Sequence, residues 1–244
     1  MARTVHGPPF TAVVFDCDST LSSIEGIEEL TAEHPEISAL TAEAMEGRVP
    51  LEEVYGRRLE LAGPRAADMA RIARRYEATA IAGAAELIAA LLHLDKRVEI
   101  VSGGLLPAVQ PFGVQLGVPV EGIHAVDLEF DVSGAYVDYD RGSPLARAGG
   151  KLELLAERFP EGDVALVGDG ATDLEARDAC ARFIAFTAVE RRPDVVAGAD
   201  VEVREADYAA LLPHLVSAHE LEVLRGAPAG RFEGLLGRLR REPS

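Results

Sequence analysis

Four short apolar runs constrain this chain more than any other feature: Ala12-Val13-Val14-Phe15, Val98-Glu99-Ile100-Val101, Val164-Ala165-Leu166-Val167 and Phe183-Ile184-Ala185-Phe186. Helical stretches separate them, and that alternation predicts a doubly wound, mostly parallel α/β sheet covered by helices on both faces. Asp16, Ser102 and Gly168 directly follow the first three runs. Polar groups are thereby expected at the carboxyl ends of strands, where open α/β sheets bind ligands.

Between the first and second runs lies a span from about Ser23 to Ala82, rich in Ala, Glu, Leu and Arg with helical periodicity. It is too long for one crossover and is expected to form several helices over the site, with breaks near Pro35, Pro50 and Gly63-Pro64. The expected organisation is a core made of residues 1–22 and 83–218, an inserted α-helical cap at 23–82, and a C-terminal helical tail at 219–244. A chain of 244 residues suits one core plus a smaller unit. Residues 121 to 150 carry Asp131-Val132-Ser133-Gly134 between apolar alternations and are expected to form a hairpin.

The formal charge is −17, from 41 acidic and 24 basic residues, which argues against nucleic acid and acidic membrane surfaces as partners. A small anion is still permitted, because screening lets a local cluster of cations dominate inside a cleft. Two cysteines, Cys17 and Cys180, are too few for a disulfide framework, and the first ten residues do not resemble a signal peptide. A cytoplasmic location is expected, as a monomer or homodimer.

Four motifs carry chemistry. Asp16-Cys17-Asp18-Ser19-Thr20 follows a strand, and a spacing of two on an extended backbone would point both carboxylates to one side. An Asx turn with a helix N-cap would use the same residue types. Ser102-Gly103-Gly104 offers a hydroxyl and glycine amides as an anion cradle, or else a plain strand-to-helix turn. Gly149-Gly150-Lys151 places a lysine before a helical stretch from Leu152 to Phe159, but Leu145 and Leu152 break the nucleotide phosphate-loop pattern. Gly168-Asp169-Gly170-Ala171-Thr172-Asp173 imitates a dinucleotide fingerprint, yet Asp173 stands at its sixth position, and two carboxylates would repel a pyrophosphate. Gathered in one crevice, Asp16, Asp18, Asp169 and Asp173 could not stay ionised without compensation, which a hard dication such as Mg²⁺ supplies.

In this order the motifs resemble those of the haloacid dehalogenase superfamily, and among its members the phosphoserine phosphatases most closely. The resemblance extends to Glu25-Gly26-Ile27-Glu28-Glu29-Leu30, Ala44-Met45, Val49-Pro50 and Arg58-Leu59 and covers residues 11 to about 215. It implies a Rossmann-like core, Mg²⁺ as cofactor, and a phosphomonoesterase that works through an aspartyl-phosphate. Asp16 is then the nucleophile and Asp18 the acid and base. Asp18 also separates phosphatases from dehalogenating relatives, which have no alkoxide to protonate.

By the same resemblance Ser102, Gly103 and Gly104 hold phosphate oxygens, Lys151 neutralises phosphate and nucleophile, and Thr172 and Met45 contact substrate. Metal ligands would be Asp16, Asp169, the Asp18 backbone carbonyl and, directly or as an orienting group, Asp173. Glu25 would pair with a substrate ammonium and Arg58 would grip a carboxylate. Together these make O-phospho-L-serine the expected substrate. Glu46 and Leu51 depart from the family pattern and leave open another small phosphorylated metabolite, or phosphotransfer in place of hydrolysis. A nucleotide-dependent oxidoreductase and a catalytically silent phosphometabolite-binding protein are more distant alternatives.

Overall fold

The computed structural model describes residues 7–31 and 51–239. The expected breaks near Pro35 and Pro50, the site residue Met45, and Glu46 lie outside the described residues, as does the end of the tail. Strand β1 (Ala12–Phe15) is followed by the short helix α1 (Glu28–Thr31), then α2 (Leu51–Ala62), α3 (Ala66–Ala78) and α4 (Ala84–His93). Next come β2 (Arg97–Leu105), α5 (Leu106–Gln115), β3 (Ile123–Val126), and the pair β4 (Leu128–Phe130) and β5 (Tyr136–Tyr139). The chain continues as α6 (Gly150–Arg158), β6 (Val164–Gly168), α7 (Ala171–Ala176), β7 (Arg182–Phe186), α8 (Pro193–Gly198) and β8 (Val201–Val203). It ends in α9 (Leu212–Leu215), α10 (Ala218–Arg225) and α11 (Glu233–Leu239).

Six strands pair in the order β3-β2-β1-β6-β7-β8, every pair parallel, so β1 and β6 lie side by side at the centre. The two-residue period of an extended chain sends alternate side chains to opposite faces. Val13, Phe15, Ala165 and Val167 enter one core, together with α3, α4, α5 and the tail helices. Ala12, Val14, Val164 and Leu166 enter the other, with Leu155 and Phe159 of the α6 region and Val195 of α8. A strand buried on both faces has no polar side to offer, which explains why these runs are apolar throughout.

Helix α3 buries Met69, Ile72, Ala73 and Tyr76, a stripe at the helical repeat, and stacks Tyr76 on Phe112 of α5 at 5.4 Å. β4 and β5 form the expected hairpin, closed by the Asp131 carboxylate accepting from the amides of Ser133 and Ala135. The tail returns to the core: Phe232 and Leu235 are buried, and Lys96 bridges the Phe10 carbonyl at 2.7 Å and Glu220 at 2.5 Å. Arg238 pairs with Asp207 and Glu86. Among the described residues no helix is long and apolar enough to cross a membrane.

Two local expectations are corrected. The Ser102-Gly103-Gly104 segment is not a turn but belongs to β2, which runs through to Leu105. Its pairing with β3 is interrupted between Val101 and Leu105, so the two glycines mark a bulge rather than an end. Asp16 and Asp18 do not alternate on an extended backbone, because β1 stops at Phe15. The amides of Leu21 and Ser22 both donate to the Cys17 carbonyl, and Ser19 takes a positive φ of 50°. A tight turn, not a strand, presents Asp18.

Candidate active site

The carboxyl ends of β1, β2 and β6 open into a cavity of about 250 Å³ lined by Asp16, Asp18, Glu25, Tyr55, Arg58, Ser102, Gly103, Gly104, Asp169, Thr172 and Arg192, among others. Residues from five separate segments thus meet where the topology reserves space for a ligand. Lys151 and Asp173 stand behind them, both buried.

The Asp16 amide extends the β1 ladder to the Val167 carbonyl at 2.9 Å, and its Oδ1 accepts from the Cys17 amide at 2.7 Å. Its other oxygen, Oδ2, lies 3.3 Å from Lys151 Nζ. The same ammonium donates to Asp173 Oδ1 at 2.6 Å. Burial opposes a charged lysine, but Asp16 and Asp173 together outweigh it, so Lys151 holds its proton more tightly than an exposed lysine would. Asp173 also takes the Gly170 amide at 2.9 Å at the entrance to α7. Gly168 makes room for this: a Cβ there would fall 2.2 Å from the Asp173 carboxyl carbon.

Asp18 is surrounded differently. Its Oδ1 accepts from the Gly26 amide at 2.7 Å and the Tyr76 hydroxyl at 2.6 Å. Burial and the nearby Asp16 outweigh these bonds and push its carboxyl up to about 6. Asp169 is raised to about 7 by burial and Asp16, although Thr20 Oγ1 donates to it at 2.8 Å and Arg192 pairs with its Oδ2. Glu25, raised to about 7 by burial and Asp18, accepts from Ser19 Oγ at 2.6 Å. Several acids within one cavity therefore sit poised near neutrality.

Oxygen atoms of Asp16, Asp169 and Asp173 come within 4.8 Å of one another. This set offers only carboxylate oxygens, two of them on acids that burial raises toward neutrality, and a hard divalent cation would relieve both conditions. The Asp18 side chain stands outside that group. Arg58 reaches the cavity from α2 with Nε buried and without a hydrogen-bond partner among the described residues. Burial lowers its pKa.

The match to known proteins agrees with this geometry. Residues 13–178 match the family model described as haloacid dehalogenase-like hydrolase. The chain belongs to that family. It is 34% identical to the phosphoserine phosphatase of Bos taurus over 181 residues, covering 72% of this chain and 80% of the relative. Against the chloroplastic phosphoserine phosphatase of Arabidopsis thaliana it is 35% identical over 198 residues, covering 78% of this chain and 67% of the relative. A solved structure described as a phospho-aspartyl intermediate analogue of phosphoserine phosphatase superposes with a TM-score of 0.71 at 27% identity, covering 85% of this chain and all of the other. This haloacid dehalogenase-like hydrolase is a phosphatase, acting on phosphoric monoesters.

Three residues that touch the site of the hydrolase carry no signal in isolated motifs. Arg192, which donates to the Asp169 backbone carbonyl at 3.2 Å and pairs with Glu190 at 2.6 Å, sits at the start of α8. In the sequence it is marked only by the Arg191-Arg192-Pro193 step beyond the apolar run at 183–186. Tyr55 donates to the Gly103 carbonyl at 3.0 Å, and Tyr76 reaches Asp18 from α3. Both tyrosines look like ordinary members of amphipathic helices until the fold brings them across.

Proposed function

We propose that this phosphatase hydrolyses O-phospho-L-serine to L-serine and phosphate through a phosphorylated Asp16. Convergence of Asp16, Asp18, Ser102, Glu25 and Arg58 on one cavity of about 250 Å³ carries the proposal. That volume suits a small metabolite rather than a dinucleotide.

Asp16 Oδ2 attacks phosphorus, oriented by Lys151, whose ammonium also offsets charge on the transferring phosphoryl group. Ser102 and the Gly103 amide hold phosphate oxygens, and Gly104 and Thr172 line the same cavity. Asp18 gives its proton to the departing serine oxygen and, now ionised, takes one from the water that cleaves the aspartyl-phosphate. A carboxyl near 6 can serve in both forms around neutral pH, which supports this double use. Arg58 forks onto the substrate carboxylate, and Glu25 receives the ammonium.

Asp16, Asp169, Asp173 and the Asp18 carbonyl would hold Mg²⁺, which when bound supplies positive charge beside the phosphoryl oxygens. Residues 23–82 serve as a cap over the core formed by residues 1–22 and 83–218, with 219–244 as a bracing tail. Cap closure would keep bulk water from the phosphoryl transfer.

Phosphate release is to be measured from O-phospho-L-serine, O-phospho-L-threonine and a sugar phosphate, with Mg²⁺ or with chelator. Preference for phosphoserine and loss of turnover with chelator are expected. A higher kcat/KM on the sugar phosphate would overturn the substrate assignment.

A further inference from the structure

The peptide joining Gly103 to Gly104 lies where the sheet releases β2. Pairing with β1 ends at Phe15 opposite Ile100, and pairing with β3 skips from Val101 to Leu105. The ladder therefore gives this peptide no fixed orientation, although its neighbours line the cavity. Both of its ends are nonetheless tied. The Tyr55 hydroxyl donates to the Gly103 carbonyl at 3.0 Å, and the Gly104 amide donates to Ser102 Oγ at 3.0 Å.

We propose that Tyr55 is a positioning residue that aims the Ser102 hydroxyl at the substrate phosphate through this one peptide; the inference rests on the phosphatase function proposed above. A peptide is planar, so fixing its carbonyl fixes its amide. Ser102 Oγ is occupied as an acceptor by that amide, and its proton is thereby left for an anion in front of it. Polarisation along the chain of bonds strengthens each in turn.

The anchor is well placed for a second task. Tyr55 precedes Arg58 by three residues on α2, which puts both on one face of the helix. Its ring packs on Tyr139 of β5 at 5.3 Å, holding the side chain from the far side. The helix that brings Arg58 to the cavity is thus latched to the segment that receives the phosphate. Binding of phosphate and seating of the Arg58 helix become one event.

Inorganic phosphate serves as the probe, titrated calorimetrically in Mg²⁺ against wild type, Tyr55→Phe, Ser102→Ala and the double variant. Each single variant is expected to weaken phosphate binding roughly five- to tenfold, the worth of one such hydrogen bond. The double variant is expected to bind inorganic phosphate no more weakly than Ser102→Ala alone, because Tyr55 acts on phosphate only through that hydroxyl. In turnover, Tyr55→Phe should raise KM by that factor on p-nitrophenyl phosphate and by more on phosphoserine, whose carboxylate also needs the seated Arg58, while kcat holds. Additive losses, or unchanged phosphate binding in Tyr55→Phe, would overturn the assignment.

A check without substitution uses amide hydrogen exchange of the wild-type protein. Phosphate should slow exchange in residues 102–105 and in α2 together, and protection of the first segment alone would contradict the latch. If wild type binds phosphate yet releases none from any ester, the hydrolase assignment fails while the Tyr55 coupling stands. Turnover of phosphoserine with additive losses removes the Tyr55 coupling alone.

Discussion

The Tyr76 hydroxyl gives Asp18 a 2.6 Å hydrogen bond across 58 residues of sequence. Gly26 allows the approach, since a Cβ at that position would lie 2.0 Å from the Tyr76 oxygen. A donor to a carboxylate favours its ionised form and so opposes the burial and the Asp16 charge that raise Asp18 to about 6.

Tyr76→Phe removes that donor and should raise Asp18 further. The acidic limb of the kcat profile, which reports the ionised Asp18 needed for water activation, is expected to move to higher pH by roughly one unit. An unmoved limb would show that Asp18 does not set it.

Stability of the metal-free protein should fall as pH rises from about 5 to about 7. Asp18 is raised to about 6, and Asp169 and Glu25 to about 7, with burial the largest cause in each. In that window the folded protein keeps protons that the unfolded chain has released, so stability present at low pH is lost as pH climbs through the folded values. His214, whose pKa burial lowers, works in the opposite direction and offsets part of the slope. Mg²⁺ binds the ionised carboxylates, so its stabilisation should be larger near pH 8 than near pH 5 in thermal melts. An equal shift at both would separate the acidic group from metal binding.

Much of this site is legible in the sequence where the chemistry is local. Asp16, Asp18, Asp169 and Asp173 announce themselves within six residues of the ends of two short apolar runs, and β1 is recovered residue for residue because a doubly buried strand is apolar throughout. The paired glycines of β2 mislead, because a bulge and a turn call for the same residues. β3 and β8 escape notice because they are short edge strands: β3 carries His124 and β8 carries Glu202 in a run of three. Tyr55, Tyr76 and Arg192 become visible only through contacts that cross tens of residues. A helical tyrosine or a surface-like arginine has no pattern of its own.

Arg58→Lys keeps the charge but loses the planar fork. On O-phospho-L-serine kcat/KM is expected to drop about 10- to 100-fold, the range for a charged hydrogen bond. p-Nitrophenyl phosphate, which offers no carboxylate, should lose far less. Equal losses on both esters would assign Arg58 to the fold rather than to the substrate.

The central claim is that Asp16 becomes phosphorylated, and acid quenching of a single turnover with radiolabelled phosphoserine tests it most directly. Wild-type protein is expected to carry acid-stable, hydroxylamine-sensitive label that maps to the peptide containing Asp16, and Asp16→Asn should carry none. Rapid phosphate release from wild type with no label on the protein, or label on any other residue, would contradict the account.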